Sequence, residues 1–275
     1  MVPFVISQNL NRRTSRVGFL VAIGGIALML TGAATWAGVV GTWGDSLDAA
    51  RVEKAVQWDP ENGALRYHLG QLYGWGARDS QQAVLQLRRA VELSPNRAPY
   101  WSALGWACFN VGDQGCASDA LRKAVELAPM SPQFAWELAN YLSITGSESD
   151  VLAELGRYLR LNQQEERPDP RPAFRIYERA FRDSNGMWEL LSSRPELAGL
   201  QMAFIDFVAA EGRTDVAVRQ WNELAASHGR ITLTDATLFT KCLLGKGRYA
   251  EAAEVWREIR ENGLVDRTDN EIVFI

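Results

Sequence analysis

A seven-residue phrase occurs three times in this sequence, at residues 54–60, 89–95 and 123–129, and it limits the fold more than any other feature. Each copy runs from a basic residue through Ala-Val to a closing proline, and these prolines are 35 and 34 residues apart. Proline cannot continue the helical hydrogen-bond ladder and restricts the residue before it, so each phrase predicts the end of an amphipathic helix. A period of about 34 residues holds two helices, which predicts an all-α array of helical hairpins.

The segment 98–131 carries a more specific pattern. Its elements, in order, are Trp101, Leu104, Gly105, Cys108, Ala117, Leu121, Ala124 and Pro129. This spacing resembles the tetratricopeptide repeat (TPR), whose pattern is W-x2-L-G-x2-Y, then A-x3-F, then A and P. The preceding unit has this spacing apart from one inserted residue near Gly74–Asp79, and Arg66 replaces its tryptophan. The following unit keeps the spacing without the closing proline. The resemblance implies paired antiparallel helices in a solenoid, with small residues allowing close packing.

The repeat pattern changes after residue 162. The proline-rich run 167–172 predicts a linker or sharp corner, and the phrases 212–221 and 247–256 match each other at an offset of 35 residues. The run 271–275 favours β structure, so the tail is either docked on the body or begins a further domain. The sequence therefore divides into an N-terminus (1–16), an apolar segment (17–43), a TPR array (46–162), a connector with helices (163–194), divergent repeats (195–263) and a tail (264–275).

The apolar segment predicts one N-terminal transmembrane helix. Residues 17–40 are apolar apart from two threonines, and a helix needs about 20 such residues to cross a bilayer. Arg12, Arg13 and Arg16 precede it, which places the N-terminus in the cytoplasm and the repeats on the periplasmic side of a bacterial-type inner membrane. The alternative is a cleaved signal peptide with its apolar core at 17–30 and cleavage after Ala37. Under both interpretations the repeats are exported from the cytoplasm.

Charge and motif content disfavour nucleic acid binding and catalysis. The first 44 residues hold three of the 29 basic residues and none of the 33 acidic ones, which leaves 26 against 33, a net charge of -7 beyond them. No basic stripe is evident, so a polyanion would be repelled. Neither His68 nor His228 has a second ligand at metal spacing, and no motif for nucleophilic or phosphate chemistry occurs. We expect no catalytic, cofactor or metal site.

Cys108 and Cys116 flank the predicted turn near Gly112 on two antiparallel helices. A disulfide between them is compatible with that placement and with an oxidising compartment. The alternative is two free cysteines that pack as small apolar residues.

A partner-binding groove is the site that the TPR resemblance implies, because first helices line the concave face of such solenoids. Aromatic and amide side chains predominate on that face, and charges are nearly absent. Such a surface suits a peptide segment or an apolar helix, and its rings also suit sugars. Trp106 and Trp136 have the alternative of packing against the next repeat. The predicted groove residues are Tyr67, Gln71, Trp75, Ser102, Trp106, Phe109, Asn110, Gln133, Trp136 and Asn140.

The function that these features imply is that of a membrane-anchored TPR scaffold or assembly factor, without enzymatic activity, that binds a protein or peptide partner. The resemblance extends this to envelope or polysaccharide biogenesis. A glycan-binding module is one alternative. A pentatricopeptide-like RNA binder is another, suggested by the phrasing of residues 238–265 and disfavoured by the acidic charge.

Overall fold

The computed structural model describes residues 25–26, 29–32, 35, 38, 41–75, 79–227 and 231–261. These residues form helices and turns and no strand, which confirms the predicted all-α class for this part of the chain. A 3-10 helix, Pro195–Leu200, lies between α9 and α10. The α-helices are α1 (Ala49–Trp58), α2 (Gly63–Trp75), α3 (Ser80–Leu93), α4 (Ala98–Asn110), α5 (Gln114–Leu127), α6 (Pro132–Thr145), α7 (Glu148–Asn162), α8 (Arg171–Phe181), α9 (Asn185–Ser193), α10 (Gln201–Ala210), α11 (Thr214–Ala226), α12 (Leu233–Gly245) and α13 (Tyr249–Glu261).

The predicted membrane segment 17–43 lies only partly within the described residues. Where the chain is described, none of its helices combines the length and the apolar character that crossing a bilayer requires. The anchor therefore stays a prediction. His228 and the tail 264–275 also lie outside the described residues.

The chain divides into two compact units, residues 1–120 and 121–275, with the boundary inside α5. In the first unit, α2 packs against α1 and α3, and α3 packs against α4. Its core near the N-terminus contains Val52, Ala55, Leu65 and Leu69. In the second unit, α6 pairs with α7, α10 with α11 and α12 with α13, while α8 contacts α6, α7 and α10.

Three hairpin turns share one geometry. Gly112, Gly212 and Gly247 each follow a helix end with a positive φ, at 82°, 88° and 73°. Glycine adopts this left-handed conformation without the strain that a Cβ would add. In each turn the next residue donates its N–H to a carbonyl five positions earlier, which satisfies a carbonyl that the helix end leaves open. These bonds are Asp113 to Cys108 (2.9 Å), Arg213 to Val208 (3.2 Å) and Arg248 to Leu243 (2.9 Å).

The approach of α2 to α3 is closest at Gly70. A Cβ placed there would lie 2.5 Å from Cγ of Leu87, a side chain that is only 2 % exposed. The repeat pattern therefore has glycine at this position because the seam leaves no room for a methyl group. Gly74, one turn later in the same helix, has ordinary spacing, since its Cβ would lie 3.9 Å from Cβ of Ala83.

We predict that Gly70→Ala and Gly74→Ala change stability in opposite directions. Overpacking against Leu87 costs about 1–3 kcal/mol, which outweighs the gain in helix propensity of up to about 1 kcal/mol. Gly74→Ala keeps that gain without the clash. Urea unfolding followed by far-UV circular dichroism measures both, and shifts of the same sign would contradict the close approach at Gly70.

Candidate partner-binding site

The second unit contains an open pocket of about 760 Å³ at the N-terminal end of α6. The second half of α7, the residues that follow it and the start of α8 complete its wall. Volumes of about 300–1,000 Å³ are usual for ligand pockets. The lining residues, which we call the Trp136 pocket, are Pro132, Gln133, Trp136, Tyr158, Asn162, Glu165, Glu166, Arg167 and Pro172.

Two aromatic rings form the apolar part of this pocket. Trp136 and Tyr158 lie with their centroids 5.0 Å apart and their planes tilted by 45°. Both side chains are half-buried, so each ring packs within the fold and still presents surface to solvent. Rings held in this way lose little conformational entropy when a ligand docks on them, which suits them as binding anchors.

The polar part of the pocket is acidic. Its charged lining residues are two acidic ones, Glu165 and Glu166, and one basic one, Arg167. In the described part of the chain none of the three makes an ion pair. The pKa of Tyr158 is raised by burial first, and then by the carboxylates of Asp169 and Glu165. The pocket therefore joins aromatic surface to a lining with a net negative charge.

The predicted groove residues of the second unit meet this pocket in part. Gln133 is exposed, lines it, and donates through Nε2 to Oε1 of Glu137 at 2.9 Å. Trp136 lines it as described. Asn140 is half-buried and is not one of the lining residues.

The predicted groove residues of the first unit form two small aromatic groups. Tyr67 stacks on Tyr100, with centroids 4.4 Å apart and planes 19° apart. Gln71 donates through Nε2 to the Tyr67 hydroxyl at 2.8 Å, so amide and ring hold each other in place. Trp106 and Phe109 meet edge to face at 5.8 Å, and all four predicted side chains are half-buried.

Three further predictions in the first unit have different outcomes. Asn110 is exposed at the end of α4. Ser102 is only 6 % exposed, so its assignment to an accessible groove is wrong, because this position of α4 turns into the packed interior. The side chain of Trp75 lies outside the described residues.

Sequence reasoning missed Tyr158 and the two glutamates of the Trp136 pocket. The repeat pattern assigns the concave face to first helices, whereas Tyr158 belongs to α7 and the glutamates follow that helix. The proline-rich run 167–172 is the sequence feature that indicates these residues, because a corner there returns the chain towards α6. Nε2 of His68 lies 2.9 Å from the backbone carbonyl oxygen of Ser46.

Cys108 and Cys116 are joined by a disulfide in the structure, with their Cα atoms 5.8 Å apart. The bond links the end of α4 to the start of α5 across the Gly112 turn. Asp113 accepts a hydrogen bond from the Cys116 N–H at 3.0 Å. Although Asp113 and the two sulfurs lie close enough to suit a metal ion, bonded sulfurs are not available as thiolate ligands.

No protein-family model matches the sequence, and no curated protein matches it. Among solved structures it is similar to a tetratricopeptide repeat protein from Parabacteroides merdae, at 14% identity and a TM-score of 0.48, covering 85% of this chain and 95% of that one. It is also similar to PilF of Pseudomonas aeruginosa, at 16% identity and a TM-score of 0.41, covering 74% of this chain and 92% of that one. A third similar structure is YrrB, a TPR protein with an unusual peptide-binding site. The identity is 16% and the TM-score 0.39, covering 78% of this chain and 93% of that one. All three similarities lie below 25% identity and below a TM-score of 0.5.

We predict that the disulfide makes a measurable contribution to stability. Closing a loop of this length restricts the unfolded chain by about 2–3 kcal/mol. The double variant Cys108→Ala/Cys116→Ala should therefore unfold at lower urea concentration than the parent, and dithiothreitol should lower the midpoint of the parent but not that of the double variant. Cys242→Ala, which removes the free cysteine, is the control. Free thiols at both positions by mass spectrometry of non-reduced peptides would contradict the bond.

Proposed function

We propose that this protein is a membrane-anchored, TPR-like scaffold whose Trp136 pocket binds an extended segment of a partner protein through a basic side chain. The observation that carries the proposal is the half-buried pair of Trp136 and Tyr158 beside carboxylates that have no ion-pair partner in the described chain.

The chemistry of the pocket favours a cation with an aliphatic stem. A lysine or arginine side chain can lay its methylene groups on the rings, and its charge is attracted to an aromatic face by about 0.5–1 kcal/mol at a partly exposed site. Glu165 and Glu166 lie on the same wall and can pair with that charge.

The N-terminal segment and the disulfide support the location that we propose. Residues 17–40 are long and apolar enough in sequence for a single-pass anchor, and a disulfide persists in oxidising compartments such as the periplasm. A binding module tethered to the outer face of the inner membrane suits assembly work in the envelope, including polysaccharide biogenesis.

Glycan binding is the second candidate. Rings flanked by carboxylates and amides, here Asn162 and Gln133, also occur where sugars stack and hydrogen-bond. The two candidate ligands differ in charge. Glu165 and Glu166 attract a basic peptide electrostatically, whereas they give no such attraction to a neutral glycan.

We predict that peptides selected by display against the full chain carry lysine or arginine beside apolar residues. Trp136→Ala should weaken their binding by about 30-fold or more, the loss typical of a central aromatic anchor. Glu165→Gln/Glu166→Gln should weaken it less and reduce its dependence on salt. Fluorescence polarisation measures these affinities, and circular dichroism checks that each variant is folded.

Trp256→Ala is the matched control, because Trp256 is a half-buried tryptophan on α13 that does not line the Trp136 pocket. Equal losses in both tryptophan variants would attribute the effect to general destabilisation. Binding to polysaccharide columns in place of peptides, lost in Trp136→Ala and unchanged in the glutamine variant, would replace the peptide proposal with the glycan one.

We predict that alkaline phosphatase fused after Ile275 is active in bacterial cells, whereas a fluorescent protein that folds only in the cytoplasm is dark at the same position. The cluster of arginines before the apolar segment keeps the N-terminus inside, so the fused reporter is exported. The reverse pattern would place the repeats in the cytoplasm and remove the oxidising compartment.

A further inference from the structure

A second concave site in the second unit is rich in arginine. This cavity of about 360 Å³ lies between α8, the end of α10 and the residue before α11. Four arginines, two glutamates and Phe207 line it, which gives a net charge of +2. We call it the arginine pocket; its arginines are Arg175, Arg179, Arg182 and Arg213. The sequence shows no basic stripe, whereas α8 and the α10–α11 turn bring these four side chains together in the structure.

Three of the four guanidinium groups are uncompensated. Arg175, Arg179 and Arg182 are exposed, and among the described residues none of them makes an ion pair or a side-chain hydrogen bond. Arg175 and Arg179, four positions apart, lie on one face of α8, where like charges repel one another, and Arg182 follows the end of that helix. An anion in the cavity would remove this repulsion.

The fourth arginine forms the inner wall. Arg213 pairs with Glu178, and their side chains are 31% and 14% exposed. Burial raises the pKa of the Glu178 carboxyl, Arg213 opposes this rise, and Asp183 and Glu211 add to it. The pair holds the start of α11 against α8, while the outer three arginines remain available.

The backbone at Arg182 is strained. It adopts φ 52° and ψ 25° at the end of α8, and it is the one non-glycine residue with a positive φ in the described chain. At three other helix ends this conformation belongs to a glycine. A side chain in this region is disfavoured by sterics, and such strain is typical of functional sites. The consequence here is a guanidinium group at the rim of the pocket.

The helix dipole explains this cluster only in part. Cations in the last turn of a helix are stabilised by its carbonyl end, which accounts for Arg179 and partly for Arg182. It does not account for Arg175, which lies near the middle of α8, or for Arg213, which comes from another element. It also gives no reason for a side chain at a position that glycine would occupy without strain.

We propose that the arginine pocket binds the phosphoryl group of a phosphate monoester. Guanidinium groups match the oxygens of a phosphoryl group in bidentate geometry. A monoester carries close to two negative charges at neutral pH, which equals the net charge of the lining, whereas a single carboxylate carries one. The cavity is near the lower end of ligand-pocket sizes, so it holds a compact group better than an extended acidic segment. The monoester belongs either to a small soluble molecule or to a lipid headgroup.

Calorimetry on the full chain tests the proposal with sn-glycerol 3-phosphate as the probe, at low ionic strength and with chloride as the reference anion. Arg179→Ala should weaken binding by about tenfold or more, the loss expected for a charge-assisted hydrogen bond. Arg182→Gly should weaken it similarly and, because glycine relieves the strained φ, should unfold at higher urea concentration. If Arg182 had a structural role alone, Arg182→Gly would not weaken binding while raising the urea midpoint.

Two controls isolate the pocket. Arg219→Ala removes an exposed arginine of α11 that does not line it and should leave binding unchanged. Trp136→Ala should also leave it unchanged, because the inference does not depend on the proposed peptide pocket.

Flotation with phosphatidylcholine vesicles, with and without phosphatidic acid, distinguishes the two sources of the monoester. The N-terminal segment is the same in the parent and in Arg175→Ala/Arg179→Ala. Its contribution to vesicle binding therefore cancels when the two proteins are compared. Binding to glycerol phosphate alone supports a soluble ligand, and arginine-dependent retention by phosphatidic acid supports a lipid. Absence of both, or equal binding by the arginine variants, would overturn the proposal.

Discussion

Each helix of this protein can bury its apolar face only against the helices next to it, and the rest of the structure depends on that constraint. A single helical hairpin leaves one side of its seam open, so neighbouring hairpins must close it. The seam tolerates little excess volume, as the fit of Leu87 against Gly70 shows. Within each unit, most contacts therefore join helices that are close in sequence.

Both candidate sites take most of their lining residues from the ends of helices and the turns that follow them. The middle of each helix is occupied by packing against its neighbours, whereas the ends and the residues that follow them retain exposed polar side chains. The Trp136 pocket uses the residues after α7, and the arginine pocket uses the last turn of α8 and the turn before α11. A regular array thereby gains chemical variety without altering its seams.

The two pockets have opposite charge within one unit of the chain. The formal net charge of -4 conceals this difference, because it averages an acidic aromatic pocket with a cluster of four arginines. Local fields act over about 8–10 Å at physiological salt. Ligand preference therefore follows from the charges that line each pocket and not from the total.

Sequence periodicity alone determined the class of fold, the hairpins and the turn glycines, because helix-stopping residues and left-handed turns act within a few positions of the chain. It selected Trp136 and Gln133, which line a pocket in the structure, and it misplaced Ser102, which is buried. The repeat pattern does not specify which way each helix rotates into its neighbours. Only the tertiary structure joined Tyr158 to Trp136 and Arg213 to α8. These pairs are more than twenty residues apart in sequence. They meet because of the corner after α7 and the packing of α8 against α10, and no local rule encodes the angles at which those elements pack.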